Sequence, residues 1–414
     1  MKAKLPRARR LLQRLEPREH RRIAQSGCLF AHANRVAHLN PAWWDEAVDG
    51  ESVFFSRRYL EVLEAHAPGN LRPSYVLVSD GDGPLAALCC QIVTLDGTRV
   101  GRAARKRPLA RVLAPAVTRL RTSFRERVLV CGNLLTWGQH AVAVSPRGRK
   151  DPGRAWSAVA EALYRLRRAE RLTGSADLAL IKDLHPGHEA APHLKDNGFR
   201  RVETEPNMVL GLDAGWRAYD DYLAALDGKY RKSVRQILKE ADDAGLAVER
   251  VRDGVPIADR LHELYLAVQE NNRLRPVSAP PSYLPGLMAA FGDDVRCTIL
   301  RKEERVLGFV VTIKDGETAV GYHIGFDREA AAEAPLYLRL LHGVVEDSIN
   351  LGCRRLSLGR TALEPKARLG AVPEPMEMWV RHRTGGVNYV LGRLLASVDH
   401  AEPPTRNPFK KSRV

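Results

Sequence analysis

The residue types best suited to chemistry gather in one stretch of the chain, residues 318–371. Tyr322 and His323 end one predicted strand of this stretch, and Arg360 and Thr361 follow the end of the next. In α/β proteins, binding and catalytic sites usually form at the ends of neighbouring strands. The spacing therefore predicts a polar site where these two strands end.

These side chains suit proton transfer and the binding of an anion. His323, with a reference pKa of about 6.5, could act as a general base, the alternative being a structural histidine. Tyr322 could donate a proton to a leaving group, although aromatic residues at alternating positions also form cores. Arg360 and Thr361 could hold a carboxylate or a phosphate. The sequence contains no GxSxG motif and no cysteine in a catalytic context, so it does not indicate a nucleophile triad.

Further candidates for substrate binding lie on predicted helices of the second half. Tyr230, Arg231 and Arg235 share a cationic helix face, which either binds an anionic ligand or is simply solvated. Tyr337 lies near the start of the helix that follows the strand of Tyr322. These residues widen the predicted site beyond the two strand ends.

The end of another predicted helix supplies Glu270, Asn271 and Asn272. A proline-rich segment over residues 275–286 follows this helix end, and it predicts a loop that a ligand could order. The three side chains either bind a substrate or cap the helix.

The sequence indicates neither a metal site nor a disulfide. Six cysteines occur, and none is paired at metal-ligand spacing. Cys89 and Cys90 lie in an apolar, strand-like run. We therefore expect buried free thiols in a reducing cytoplasm and no bound metal.

The elements that must position the site occur in the same order in both halves of the chain. This order is helices, a strand meander, a helix, a strand, a helix ending in glycine, and a closing strand. Residues 177–199 correspond to residues 354–371, and the closing strands start with Glu-Pro, at Glu205 and Glu374. A period of about 170 residues fits duplicated domains rather than a solenoid. Since only the second copy has the Tyr-His and Arg-Thr pairs, we expect the chemistry there.

Length and composition support two domains. A chain of 414 residues is longer than a domain with a single hydrophobic core usually is. Its content of 44% hydrophobic and 28% charged residues is typical of globular proteins. No apolar run suits a transmembrane helix or a secretory signal, which predicts a cytoplasmic protein. We expect a basic arm at 1–39, a first domain at 40–213, a second, catalytic domain at 214–385 and a tail at 386–414.

Two basic segments account for the whole net charge of +16. Residues 1–22 carry a net charge of +7, and residues 99–127 carry +9. Alignment of the two halves makes the second segment an insertion between strands of the first domain. Such segments attract polyanions, so tRNA or an anionic membrane surface is a candidate partner. In the second case the protein would be peripheral to the inner face of the membrane.

The order of elements resembles the fold of the GNAT acyltransferases. Two such units in tandem resemble the FemAB-like peptidyltransferases and the BioF2-like acetyltransferases. The most specific match comprises KYRKSVRQILKEADDAGLAVERV, YHIGFD, LYLRLLHGVVEDSINLGCRRLSLG and EPKARLGA, and the resemblance covers residues 40–385. It implies an α/β (mixed α+β) fold of two tandem GNAT-like domains, each a mixed twisted sheet flanked by helices.

The resemblance also implies a reaction, the direct transfer of an acyl group to an amine. Lys366, in EPKARLGA, matches the position at which FemAB-like enzymes carry an oxyanion-stabilising lysine, the alternative being an exposed lysine. Together with His323 and Tyr322 it forms the predicted catalytic set. The expected acceptor is a small-molecule or peptide-like amine, bound in a cleft between the domains.

The acyl donor stays open at this point. Typical GNAT enzymes hold the pyrophosphate of acyl-CoA with a glycine-containing loop at a helix N-terminus. The matching segment here, FDREAAAEAPLY, lacks those glycines and carries Glu329 and Glu333. FemAB-like enzymes also lack the loop and use aminoacyl-tRNA. Acyl-CoA is thus the donor that the superfamily implies and aminoacyl-tRNA the alternative, while a non-catalytic protein that binds RNA or an anionic surface is a third hypothesis.

Overall fold

Runs of β-branched and aliphatic residues form the strands of this protein, and amphipathic segments form its helices. The computed structural model describes residues 23, 25–96, 125–170, 176–270, 276–389 and 403–410. The strands in this part of the chain are β1 Leu29–Ala33, β2 Leu71–Ser79, β3 Pro84–Asp96, β4 Arg125–Cys131, β5 Val142–Val144, β6 Ala176–Leu184, β7 Arg200–Gly211, β8 Ala247–Val251, β9 Val295–Lys302, β10 Arg305–Asp315, β11 Thr318–Phe326, β12 Arg355–Ser357 and β13 Val372–His382. The α-helices are α1 Pro41–Ala47, α2 Arg57–Ala65, α3 Pro152–Ala169, α4 Ala190–Asp196, α5 Tyr219–Ala225, α6 Gly228–Asp243, α7 Ala258–Gln269, α8 Tyr283–Phe291, α9 Ala330–Glu333, α10 Leu336–Asn350 and α11 Leu363–Arg368.

Local sequence signals explain where several helices begin. Asn40, Ser56, Asp151 and Asp227 precede α1, α2, α3 and α6, and each side chain accepts a hydrogen bond from a backbone N–H of the first turn. Residues of these types are preferred at this position because they satisfy N–H groups that have no partner within the helix. The helix starts are therefore encoded locally.

All thirteen described strands belong to one mixed sheet. Its order is β1-β2-β3-β4-β6-β13-β7-β12-β11-β10-β9-β8, and β5 pairs with β3. The pairs β4–β6 and β11–β12 are parallel, and the other pairs are antiparallel. Helices pack on this sheet, so the predicted class, mixed sheet structure flanked by helices, is confirmed.

The closing strands are exchanged between the two halves of the chain. β7, the closing strand of the first half, pairs with β12 of the second half. β13, the closing strand of the second half, lies between β6 and β7. The sheet therefore runs without interruption from one half into the other. The order of elements along the chain could not reveal this arrangement, because it does not fix which strands pair.

One of the three apolar cores is shared by both halves. The other two belong mainly to one half each, with Trp156 of α3 and Leu340 of α10 among their buried residues. In the shared core, α2 packs against α8, and Tyr59, Leu287 and Phe309 are all buried. Because apolar burial is the main favourable contribution to folding, this core holds the halves together.

Two expected element boundaries differ from the observed ones. β11 continues to Phe326, so Tyr322 and His323 lie within the strand and not at its end. The predicted loop over residues 275–286 is shorter, because α8 begins at Tyr283. Pro285 is compatible with this helix since the first turn needs no N–H donor.

Most of the basic segment 99–127 falls between the end of β3 at Asp96 and the start of β4 at Arg125. β4 begins at Arg125, so the last residues of the 99–127 segment belong to a strand. Residues 1–22 and 97–124, which carry most of the two basic segments, lie outside the described residues. Among the helices that the structure describes, none has the length and apolarity needed to span a membrane.

Candidate functional site

The site lies where the parallel strands β11 and β12 diverge. Their pairing covers only Thr318–Val320 of β11 and Arg355–Ser357 of β12. Beyond this pairing a cleft of about 540 Å³ opens, lined by residues 134–137 and Lys182 from the first half and by β11, α7 and α10 from the second. Both halves of the chain therefore contribute to this cleft.

A β-bulge directs both Tyr322 and His323 toward the cleft. In the β10–β11 register, Val311 pairs with His323 and Thr312 pairs with Gly321, so Tyr322 is an extra residue without a partner. Neighbouring strand residues normally point to opposite faces, and a bulge re-aims a side chain. The two rings consequently contact each other, with centroids 4.3 Å apart, and both line the cleft.

Lys366 is buried, contrary to the alternative of an exposed lysine. Its side chain lies on α11, lines the cleft and has a residue exposure of 4%. The ammonium donates one hydrogen bond, to the carbonyl of Gly359 at 3.2 Å. Burial lowers the pKa of Lys366 to about 7. Its ammonium therefore loses its proton near neutral pH, as is common for lysines at functional sites.

His323 is buried at the wall of the cleft, and its Nε2 atom has no hydrogen-bond partner among the described residues. Tyr265, Tyr283 and Tyr322 surround the ring edge-on. Burial lowers the pKa of His323 to about 3, so the imidazole is neutral at physiological pH. A neutral imidazole in this position can accept a hydrogen bond from a substrate N–H, but it is a weak general base.

The Tyr322 hydroxyl belongs to a buried triad of tyrosines that joins the two halves. It lies 2.6 Å from the Tyr283 hydroxyl and 3.1 Å from the Tyr59 hydroxyl, and the last two are 2.9 Å apart. The amide of Asn133 donates to Tyr59 at 2.6 Å. Burial raises the pKa of all three phenols. The triad therefore holds neutral hydroxyls in fixed positions behind the cleft.

Arg360 already holds a carboxylate, that of Asp183 from the first half. Lys182 donates to the same carboxylate at 2.5 Å and to the carbonyl of Thr136 at 2.8 Å. Burial by itself raises the pKa of Asp183, but the charges of Lys182 and Arg360 outweigh it and lower the pKa. The Arg360 Nε atom has no partner among the described residues. The side chains of Lys182 and Arg360, both cationic, thus share the single carboxylate of Asp183.

Backbone strain is concentrated beside this ion pair, near the ends of β6 and β12. Among the described residues, only three that are not glycine have a positive φ, and two of them are Asp183 (63°) and Ala362 (52°). Gly359 has a φ of 76°, and a Cβ atom there would lie 3.0 Å from the ring of Trp137. Such strain is costly and often accompanies function.

The other predicted site residues divide into two groups. Thr361 and Tyr337 line the cleft, and burial raises the pKa of Tyr337 to about 12. The residues that do not line it are Tyr230, Arg231, Arg235 and Glu270. Asn271 and Asn272 lie outside the described residues.

The segment between β11 and α10, which matches the pyrophosphate loop of typical GNAT enzymes, contains the short helix α9, and a carboxylate lies at the start of α9. Asp327 accepts hydrogen bonds from the backbone N–H groups of Glu329 and Ala330, at 3.1 and 3.2 Å. It also accepts one from Arg260 at 3.0 Å. These N–H groups are therefore already satisfied by the protein itself.

Sequence reasoning missed the residues that the first half contributes. Lys182 and Asp183 end the apolar strand DLALIKD, and two opposite charges at a buried strand end were a usable signal. Trp137, whose indole N–H donates to the Ser357 hydroxyl at 2.8 Å, had no such signal. Its loop reaches the site only through the tertiary structure.

Within the described part of the chain, no group of His, Cys, Asp and Glu side chains could hold a metal ion.

Comparison with known proteins identifies the fold. Residues 228–367 match the family described as acetyltransferase (GNAT) domain. The crystal structure of FemX superposes with a TM-score of 0.54 at 11% identity, over 87% of this chain and 100% of FemX. The prediction of a GNAT and FemAB-like fold is therefore confirmed.

Two further solved structures are similar at lower scores. A tandem GNAT protein from the clavulanic acid biosynthesis pathway has a TM-score of 0.49 at 14% identity, over 86% of this chain and 98% of its own. L-PGS from Bacillus licheniformis has a TM-score of 0.45 at 12% identity, over 82% of this chain and 96% of its own. No curated protein matches the sequence. On the match of residues 228–367 to a GNAT acetyltransferase domain, the chain is an acyltransferase with a GNAT-like fold.

Proposed function

We propose that this protein transfers an acyl or aminoacyl group to an amine in the cleft between its halves, and that Lys366 stabilises the oxyanion of the reaction. The observation that carries the proposal is the buried ammonium of Lys366, which lines the cleft and has one neutral carbonyl as its partner. A buried cation without a counter-ion is costly, so it is best explained by a negative charge that forms during catalysis.

The reaction proceeds by direct attack. The lone pair of the acceptor nitrogen forms a bond to the acyl carbon, and the carbonyl oxygen becomes an oxyanion beside Lys366. When the oxyanion collapses, the bond from carbon to the leaving oxygen or sulfur breaks. The leaving atom takes the electron pair, and the proton released by the nitrogen ends on it or on solvent. The protein contributes position and charge, which are the main requirements of such a transfer.

The cationic end of the cleft also favours the reactive form of the acceptor. Lys182, Arg360 and Lys366 lie at this end, and nearby positive charges lower the pKa of an ammonium group. The unpartnered Nε2 of His323 can accept a hydrogen bond from the neutral amine and orient its lone pair. In this proposal Tyr322 positions His323, because its hydroxyl is engaged in the tyrosine triad.

The experiment replaces Lys366 and His323 separately. Lys366→Met and His323→Ala should each lower turnover by roughly 10²-fold or more, the typical effect of losing an oxyanion or proton-transfer contact. Mass spectrometry of the acylated amine provides the readout, with acyl-CoA and aminoacyl-tRNA supplied in parallel. Lys195→Met on exposed α4 is the matched control. Near-wild-type turnover in both cleft variants would refute this site.

The proposal allows two donors, acyl-CoA and aminoacyl-tRNA. The Asp327 carboxylate argues only against acyl-CoA held through the backbone N–H groups of Glu329 and Ala330, because it already accepts their hydrogen bonds. A tRNA donor predicts activity that falls steeply with salt, since its phosphates release counter-ions on binding basic segments. Deletion of residues 1–22 should then reduce activity, whereas a CoA donor should be indifferent to it. Co-purification of charged tRNA or of a CoA species from the host distinguishes the two directly.

The proposal also divides the chain into domains, with boundaries at residues 39, 213 and 385, and assigns the transfer to the second domain. It places the protein in the cytoplasm and relates it to the BioF2-like acetyltransferases. In addition, it has the basic segments 1–22 and 99–127 bind RNA or anionic lipid. A basic residue near an anionic membrane is worth about 1 kcal/mol. Vesicle binding by the full chain, compared with a variant lacking residues 1–22, tests the lipid alternative.

A further inference from the structure

The wall of the cleft formed by β10, β11 and α10 is apolar. Val310 and Ile324 are paired across β10 and β11, and Phe326, Tyr337 and Leu341 complete the wall. Ile324, Phe326 and Tyr337 are only partly buried, so apolar surface remains open to the cleft. A cleft of about 540 Å³ is of ligand size, and an apolar wall selects an apolar occupant.

The end of the same cleft formed by Lys182 and by the residues that follow β12 is cationic. Lys182, Arg360 and Lys366 line it, and no Asp or Glu is among its described lining residues. Asp183 lies behind this end with both oxygens engaged, by Arg360 on one side and by Lys182 and the Gly138 N–H on the other. An ammonium group brought here would meet like charges in a partly desolvated site without a free counter-ion.

We propose that the transferred acyl group is an apolar hydrocarbon chain, seated between β11 and α10 with its carbonyl at Lys366, and not an aminoacyl group. An aminoacyl group carries an ammonium one carbon from the reacting carbonyl, which would place that charge at the cationic end. A hydrocarbon chain places methylene groups on the apolar wall instead. This inference rests on the proposed acyl transfer and narrows its donor.

Binding of simple carboxylates tests the inference without turnover. Butanoate, octanoate, decanoate and 2-aminodecanoate are titrated into the full-length protein by calorimetry. The carboxylate stands in for the reacting carbonyl, and the last probe differs from decanoate only by the ammonium group. From butanoate to decanoate, affinity should rise about fourfold for each added methylene group, which is the value for full burial of the hydrocarbon chain. The heat-capacity change of binding should be negative. We expect 2-aminodecanoate to bind at least roughly tenfold more weakly than decanoate.

A variant that fills the wall links the binding to this cleft. Ile324→Trp should abolish the gain from octanoate to decanoate, and Val248→Trp, on the exposed edge strand β8, should leave it unchanged. Ile324→Ser serves if the tryptophan variant does not fold, because it removes apolar wall without adding volume, and it should reduce the gain per methylene. Thermal unfolding verifies that each variant is folded.

The possible outcomes test the hydrocarbon-chain inference separately from the proposed reaction. Chain-length-independent binding, no binding at all, or equal affinity for decanoate and 2-aminodecanoate would each overturn the apolar-chain inference, even if Lys366→Met lost all turnover. Conversely, affinity that rises with chain length in the wild type but not in Ile324→Trp supports binding of the hydrocarbon chain between β11 and α10. If Lys366→Met then retained full turnover, the proposed role of Lys366 would be wrong, but the binding site for the chain would still be supported.

Discussion

At the scale of single residues, Lys366 is the side chain whose properties depend most on its surroundings. The sequence places it in EPKARLGA, but a lysine in such a segment is usually exposed. In the folded protein α11 buries it against the divergence of β11 and β12, and burial lowers its pKa to about 7. The same burial that makes the ammonium useful to an oxyanion makes it a cost to the folded state.

Lys366→Met should therefore stabilise the protein although it lowers turnover. The folded state releases the proton at pH about 7, whereas the unfolded state keeps it to a pH of about 10.4. Between these values the unfolded state binds more protons, so wild-type stability rises with pH. The variant should have the higher melting temperature below pH 7, and the difference should shrink toward pH 10. Melting curves at pH 6 and pH 9 measure this, with Lys195→Met as the control, and a less stable variant at pH 6 would contradict the prediction.

The pH dependence of turnover should report the protonated form of Lys366. If the ammonium stabilises an oxyanion, the ratio of wild-type to Lys366→Met turnover is highest below pH 7 and falls as the pH rises through about 7. Measuring the ratio as kcat/KM removes the titration of the free acceptor amine, which both proteins share. A ratio that rises with pH would instead assign Lys366 as a general base.

At the scale of elements, the C-terminal segment 403–410 supports the helix that carries Lys366. Phe409 packs on Gly370, where a Cβ atom would lie within 2.3 Å of its ring, and Arg406 pairs with Glu364 of α11 at 3.1 Å. The segment is fastened by a hydrogen bond from the Asp227 N–H to the carbonyl of Pro408, at 2.8 Å. We had expected a tail over residues 386–414, and this part of it is a structural element.

Phe409→Ala should consequently reduce turnover although the residue is remote from the cleft. Loss of the ring loosens α11, and small misplacements of a reacting group cost about 10-fold or more in rate. Arg355→Ala is the control, since it removes a surface ion pair of β12, the one with Glu374 of β13. Turnover equal to that of the control, in a folded Phe409→Ala protein, would show that α11 needs no such support.

At the scale of the whole molecule, the exchanged strands make the two halves depend on each other. A fragment of residues 1–213 lacks β13, which lies between its β6 and β7, and a fragment of residues 214–414 lacks β7, the partner of β12. The shared core adds apolar surface that neither fragment buries alone. The site also needs both halves, because Lys182 and Asp183 come from the first and Lys366 from the second.

Each half expressed alone should therefore fail to form a cooperative structure. We expect the full chain to unfold in one transition, with coincident far-UV circular dichroism and tryptophan fluorescence curves. The separate fragments should show no sharp transition, and mixing them should restore one. Two well-separated transitions in the full chain would mean that the halves are energetically independent despite the continuous sheet.

Sequence reasoning recovered the elements and their order because these depend on local patterns. Alternating apolar residues predicted the strands, glycines marked helix ends, and the repeat identified the corresponding units. The family resemblance then pointed to Lys366. His323 and Tyr322, which the sequence offered as candidates, both line the cleft, although the bulge that brings them together has no sequence signature.

Only the tertiary structure decided which strands pair, which charges meet and how strongly the site perturbs them. The exchange of β7 and β13 is a choice between partners with similar patterns. The ion pair of Arg360 with Asp183 joins residues 177 positions apart. The pKa of Lys366 depends on burial, which is a property of everything packed around it. Local sequence determines local geometry, whereas desolvation and long-range charge pairing exist only when distant segments are brought together.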